Sequence, residues 1–272
     1  MMLPKLKDGT NKVIEHFLAE KLRKTGAKGY VLGVSGGIDS AVVLRLAVNA
    51  VGKDRVLGLL MPEKDSPEED MEDAEELCEA VGVRYEIIDI SDAVDAFRKA
   101  VGGKPDRMAL ANIKARCRMI HLYHRAGTES RLVLGTSNKS EMLVGYFTKH
   151  GDGGADLEPI GDLYKTEVRG LAQVLGIPEK IIKKAPSAGL WEGQTDEGEM
   201  GITYERLDAI LFGLEQGIPE QDVAKRADAS AREVERISKM IRLSAHKRKF
   251  PAVAKVGLRT PGLDWRDGDE DI

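Results

Sequence analysis

Three short apolar runs constrain this chain more than any other feature: "YVLGV" (Tyr30 to Val34), "VLGLLM" (Val56 to Met61) and "RLVLG" (Arg131 to Gly135). None alternates apolar with polar residues, so each reads as a strand buried on both faces. The stretches between them carry helical periodicity rather than hairpin turns, and parallel strands require such crossovers. Val13, Ile14, Phe17, Leu18 and Leu22 recur at helical spacing and predict a helix over 11–24, with its apolar face inward. Further helices are expected over Ser40 to Val51, Pro67 to Val81 and Asn112 to Arg125, and a further strand over Arg84 to Ile90. For the helix at 67–81, Ser66 and Glu69 form a capping box, Pro67 takes the first helical position and Gly82 closes the end. The expectation is an α/β fold, a doubly wound parallel sheet with helices on both faces.

The 272 residues are enough for a substantial core, and the chain reads as one domain with its α/β core over 29–184. Two long, polar, glycine-rich stretches interrupt the rhythm, Thr148 to Tyr164 and Ala185 to Gly201, and long loops in compact domains are usually functional or mobile. The loop at 185–201 is expected to be mobile. Helices follow over 203–247, at Tyr204 to Phe212, Pro219 to Ala227 and Ala231 to His246, and the acidic tail 260–272 is expected to fray. A formal net charge of -4 gives no general basic field, so nucleic acid is not an expected partner. No apolar run approaches the ~20 residues of a membrane span. Two cysteines, Cys78 and Cys117, predict no disulfide and a reducing, cytoplasmic setting.

The chemistry begins where the first strand ends. "GVSGGIDSAVV" (Gly33 to Val43) places two glycines, two serines and an aspartate at a strand-to-helix turn. A Walker A loop would need Gly-Lys-Ser/Thr where Ile38-Asp39-Ser40 stands, and the G-x-G-x-x-G of a dinucleotide fold is absent. Gly36 and Gly37 instead let backbone N–H groups approach an anion, while Ser35 and Ser40 add hydroxyls at a helix N-terminus. That makes a pyrophosphate cradle without lysine. Asp39 would repel phosphate on its own, so its place beside the cradle implies a bridging cation, with Mg²⁺ the best match to oxygen ligands. The plainer alternative makes Ser35 a cap and Asp39 a partner of the helix dipole.

This stretch resembles the S-G-G-x-D-S motif of the ATP pyrophosphatases, which cleave ATP between its α- and β-phosphates. Six further stretches, "NIKARCR" (Asn112 to Arg118), "GTSNKSE" (Gly135 to Glu141), "GYFTKHGDGGADLEP" (Gly145 to Pro159), "LYKTEV" (Leu163 to Val168), "APSAGL" (Ala185 to Leu190) and "HK" (His246, Lys247), together resemble the NAD synthetases in order and spacing. The resemblance implies a Rossmann-like ATP pyrophosphatase fold. It implies ATP contacts at Gly33, Val34, Ser35, Gly36, Gly37, Ile38, Asp39, Ser40, Thr136, Lys165 and Ser187, with Mg²⁺ held by Asp39 and Glu141 and catalysis by Asp39, Glu141 and Lys165. Family members often carry threonine at position 187 and aspartate two residues later; this chain has Ser187 and Gly189. The second substrate implied is deamido-NAD, held by Arg116, Lys149, Asp156, His246 and Lys247. Cationic groups suit its pyrophosphate and nicotinate carboxylate.

The reaction implied is amidation of deamido-NAD to NAD through an adenylated intermediate, with release of AMP and pyrophosphate. The nitrogen donor expected is free ammonia or ammonia from a separate protein, because synthetase motifs fill the chain and leave no room for a glutaminase domain. A homodimer with substrate sites near the interface is also implied. Two other readings compete. One is another adenylating ATP pyrophosphatase, tRNA-modifying or GMP synthetase-like. The other is DNA binding through Asp222 to Ser244, which has helix-turn-helix character with a capping box at Ser230 and Glu233. His121 and His124 have no third ligand spaced with them and read as structural, as does Cys117.

Overall fold

The computed structural model describes residues 1–103, 106–187, 189, 191 and 193–258. Its elements in chain order are α1 (Thr10–Thr25), β1 (Gly29–Gly33), α2 (Ile38–Val51), β2 (Val56–Leu60), α3 (Glu68–Val81), β3 (Arg84–Ile87), α4 (Ser91–Ala100), α5 (Arg107–Glu129) and β4 (Arg131–Leu134). There follow α6 (Lys139–Val144), α7 (Lys165–Val174), α8 (Glu179–Lys183), α9 (Asp196–Met200), α10 (Tyr204–Glu215), α11 (Glu220–Arg226) and α12 (Ala231–Leu243), with a 3-10 turn at Ser244–Lys247. The acidic tail at 260–272 lies outside the described residues, as do positions 188, 190 and 192 of the loop expected to be mobile.

The strands are parallel, in the order β3-β2-β1-β4, with Tyr30 opposite Val56 on one side and Leu132 on the other. The period of two along each strand sorts side chains between two cores. Tyr30, Leu32, Val34 and Leu60 join α1, α2, α3 and α7 on one face. Val31, Leu57, Leu59, Met61 and Val133 join α4 and α5 on the other. The doubly wound sheet with helices on both faces is therefore present. Helix α2 lies between the sheet and α1, which is why Val42, Val43, Leu44 and Leu46 are all fully buried. Each such side chain contributes ~1.5–3 kcal/mol. Helices α10 to α12 close a separate cluster with Tyr164 and Val144.

Several details depart from the sequence reading. Val13 is 71% exposed, because α1 buries a narrower stripe, Ile14, Leu18 and Leu22. The capping box at Ser66 and Glu69 does not form: α3 starts at Glu68 with Pro67 as its N-cap, and the Ser66 hydroxyl accepts the Glu63 N–H at 3.0 Å instead. Gly82 does close α3, in the left-handed conformation. Helix α5 starts at Arg107, capped by Asp106. The capping box at Ser230 and Glu233 forms as read, but Arg236, on the helix a DNA-reading motif would present, donates to the carbonyl of Met200 at 2.7 Å and packs inward.

Candidate active site

The chain leaves β1 toward β2 and later returns to place β4 on the opposite side of β1. The loops after β1 and β4 diverge there, and in open α/β sheets this crevice at the carboxyl ends of the strands takes the ligand. A cavity of about 450 Å³ occupies it. Every residue that the resemblance gives to ATP lines this cavity except Gly36, and Glu141 lines it too.

The turn after β1 is held by its own serines. The Ser40 hydroxyl donates to the Gly37 carbonyl at 3.0 Å and accepts the Ser35 N–H at 3.2 Å, while Gly37 N–H reaches the Ser35 hydroxyl at 3.3 Å. Gly36 sits at φ +76°, and a Cβ there would collide with the backbone carbonyl of Asp70. Position 36 thus admits only glycine for two reasons, its conformation and the close approach of α3.

Two helix N-termini bring in the charged groups. In α6, Asn138 and Glu141 form a reciprocal capping box, and Asn138 Nδ2 also donates to Asp39 Oδ1 at 3.1 Å. In α7, Lys165 is 2% exposed. Its Nζ bonds Asp39 Oδ2 and lies 3.4 Å from Glu141 Oε1. Burial works against the charge on Lys165, but Asp39 and Glu141 outweigh it and hold the ammonium protonated. Burial pushes the Glu141 carboxyl up, and the neighbouring lysine opposes that rise. Asp208 fixes both helices relative to each other: it accepts the Ser140 hydroxyl and, at 2.8 Å, the Thr166 N–H, while the Lys165 N–H reaches Ser140 Oγ at 3.0 Å.

The Lys165 ammonium stands between the two carboxylates expected to share Mg²⁺. Asp39 and Glu141 are hard oxygen donors that suit that ion, but they are only two of about six ligands, so phosphate and water oxygens would have to supply the rest. Among the described residues no group of three or more histidine, cysteine or acidic side chains has metal-holding geometry. The residues fit Mg²⁺ as an ion arriving with nucleotide.

The residues assigned to deamido-NAD divide. Lys247 lines the cavity and donates to the carbonyls of Gly145 and Phe147 at 2.8 and 2.6 Å. Arg116, Lys149, Asp156 and His246 do not line it. Arg116 donates to the Lys149 carbonyl and Lys149 to the His246 carbonyl, at 3.2 and 3.0 Å, so three of them form one chain of contacts beside it. Asp156 also braces the sheet. Its Oδ2 accepts the Val133 N–H at 2.7 Å and its Oδ1 accepts the Tyr123 hydroxyl at 3.1 Å, covering the edge of β4. Sequence reasoning passed over Arg118, which does line the cavity and whose Nε donates to the Met61 carbonyl at 3.0 Å. It also missed Asp196 and Tyr204. The Tyr204 hydroxyl lies 3.2 Å from Glu141 Oε1 and 3.0 Å from Asp196 Oδ2.

Glu158 supports the β4 loop from behind. Its carboxyl occupies the space a Cβ at Gly135 would need and accepts the Ser137 N–H at 3.1 Å. Burial pushes its pKa up to about 8. A raised carboxyl keeps its proton in the fold while the unfolded chain has already lost it, so its contribution falls as pH rises from about 4.5 to about 8. Glu158→Gln, with no proton to lose, is expected to gain melting temperature relative to wild type across that window and to hold the difference above it. Thermal unfolding from pH 5 to 9 checks this, and a difference independent of pH would show that Glu158 is ionised throughout.

The family model of NAD synthase matches residues 10–251. The NH3-dependent NAD+ synthetase of Thermococcus kodakarensis is 49% identical over 239 residues, covering 88% of this chain and 93% of that protein. Among solved structures, the NMN synthetase of Francisella tularensis superposes with a TM-score of 0.81 at 38% identity, covering 91% of this chain and 98% of that one. An NH3-dependent NAD synthetase from Campylobacter jejuni, solved with a nitrate ion, gives 0.77 at 34% identity, covering 90% and 97%.

Proposed function

The chain belongs to the NAD synthase family, and from that premise we propose that it is an ammonia-dependent NAD synthetase, joining ammonia to the nicotinate carboxylate of deamido-NAD with cleavage of ATP to AMP and pyrophosphate. The observation that carries this reading is the meeting of the Gly33–Ser40 turn with Thr136, Glu141 and Lys165 around one cavity at the switch point of the sheet.

In the first step the nicotinate carboxylate attacks the α-phosphorus, forming an acyl-adenylate as pyrophosphate leaves. The N-terminus of α2 and the Ser35 hydroxyl line the cavity where charge would move onto the leaving oxygens, while Gly36 and the Ser40 hydroxyl hold the turn in shape. Lys165 brings a protonated ammonium to the same place. Asp39 and Glu141 would hold Mg²⁺, which neutralises phosphate charge when bound. In the second step ammonia displaces AMP, forming the C–N bond. Pro62 and Ser66 on one side and Ala185, Pro186, Ser187 and Gly189 on the other border the cavity, and their segments would keep water from the reactive anhydride. Arg116, Lys149, Asp156, His246 and Lys247 would take deamido-NAD in and beside the cavity, in a homodimer with its substrate sites near the interface. Cys78 and Cys117 are both unpaired and buried, which fits a cytoplasmic setting.

The Francisella relative gives a second reading, amidation of the mononucleotide rather than the dinucleotide. Purified protein with ATP and Mg²⁺ should form amide, AMP and pyrophosphate in equal amounts from deamido-NAD and ammonium. Glutamine should give little product. Faster amidation of nicotinic acid mononucleotide would favour the second reading, and a comparable rate with glutamine would overturn the nitrogen donor.

A further inference from the structure

One polar group in the cavity plays no part in the steps above. Asp196, at the start of α9, is 4% exposed and lines the same cavity as Lys165 and Thr136. Its Oδ2 accepts from Tyr204, but its Oδ1 is buried and has no hydrogen-bond partner. An unsatisfied buried acceptor costs about 1–3 kcal/mol, and more when charged. Burial pushes the Asp196 carboxyl up, against the opposing pull of Lys165 and the Tyr204 hydroxyl.

The neighbours do not supply what is missing. Tyr204 has one hydroxyl proton to divide between Asp196 and Glu141. The Lys165 ammonium contacts Asp39 and Glu141. On the other side, the Tyr146 hydroxyl donates to Glu199 Oε2 at 2.6 Å and also reaches the Asp196 carboxyl, so its one proton is divided as well, and the Gln194 amide donates to Glu199 Oε2 at 2.9 Å. This corner therefore has acceptors, two phenol walls and one donor too few. Water would satisfy Oδ1 but bring no charge, and a divalent cation would demand about six oxygens. A small monovalent cation with several N–H donors matches both the unpartnered acceptor and the excess of negative charge.

We propose that Asp196 Oδ1 binds the ammonium ion from which the nitrogen substrate is drawn, with the Tyr146 and Tyr204 phenol oxygens as further acceptors. This assignment rests on the amidation reading given above, and it makes Asp196 a substrate-binding residue for the second step alone.

The test separates the two steps. In Asp196→Asn the KM for ammonium should rise about tenfold or more, the loss expected for one hydrogen bond to a charged group. Pyrophosphate release from ATP and deamido-NAD without ammonium should stay within about twofold of wild type. Hydroxylamine, which is uncharged at neutral pH, needs no carboxylate to bind it, so the variant should use it almost as well as wild type. Ammonium chloride should also raise the melting temperature of wild-type protein more than sodium chloride at equal ionic strength, a readout that needs no variant. An unchanged KM for ammonium, a parallel loss with hydroxylamine, or an equal loss of pyrophosphate release would overturn the assignment. Wild-type protein that released no pyrophosphate would instead overturn the amidation reading itself.

Discussion

Replacing Lys165 with methionine is expected to lower the melting temperature by about 10 °C and to abolish turnover. The side chain is 2% exposed and its ammonium is bonded between Asp39 and Glu141. Methionine fills nearly the same volume, so the packing is kept and the charge alone is lost. Removing one partner of a buried ion pair leaves the other uncompensated, at a cost of about 3–5 kcal/mol. For a chain of this size each kcal/mol shifts the melting temperature by about 2–4 °C. The stranded Glu141 carboxyl, which burial already pushes up, can escape by taking up a proton, so the deficit should be larger at pH 8 than at pH 5. Removing one of the two stranded carboxylates with Lys165→Met and Glu141→Gln together should recover part of the loss. A melting temperature within about 2 °C of wild type at pH 8 would show that the cluster is solvated rather than a buried charge network.

The sheet was legible because its strands are buried on both faces. Runs such as "VLGLLM" carry that burial directly in their composition, and no alternative element accommodates so short an uninterrupted apolar stretch between helical periods. Local cues failed where another partner competed for the same atom. The Ser66 hydroxyl satisfies the Glu63 N–H before it can cap α3. Asp156 has a contact that its motif does not announce, the Val133 N–H at the edge of β4.

The same division runs through the site. The phosphate turn at Gly33–Ser40 is readable because one contiguous segment builds it, with its glycines and serines bonded to each other. Asn138 left a signal, since its spacing to Glu141 is that of a capping box. Asp196 and Tyr204 left none: Tyr204 meets Glu141 only once α10 packs against α6, and Asp196 joins them through the Tyr204 hydroxyl, a contact that no periodicity within a glycine-rich loop foretells. The placement of Arg118 likewise depends on how α5 is rotated, and that rotation turns Arg118 to the cavity and Arg116 toward Lys149.

Asp39→Asn tests the chemistry of the turn with little damage to the fold. The residue sits in the first turn of α2, where its carboxylate accepts from Asn138 Nδ2 at 3.1 Å and pairs with Lys165. Asparagine keeps the shape and one acceptor, and Lys165 keeps Glu141, so the melting temperature should move far less than in Lys165→Met. Turnover should not survive so well. The substitution removes the charge by which Asp39 would bind Mg²⁺ and orient Lys165 against the phosphates, and such electrostatic losses act mainly in the transition state. A fall on the order of 10³-fold is expected, about 4 kcal/mol of lost stabilisation. Pyrophosphate release and amide formation should fall together, because Asp39 serves the first step and the second cannot proceed without it. The measurement is initial rate across a magnesium titration for both products. Turnover within tenfold of wild type at saturating magnesium would return Asp39 to the simpler role of a helix-dipole partner, and a fall confined to amide formation would assign it to ammonia rather than to ATP.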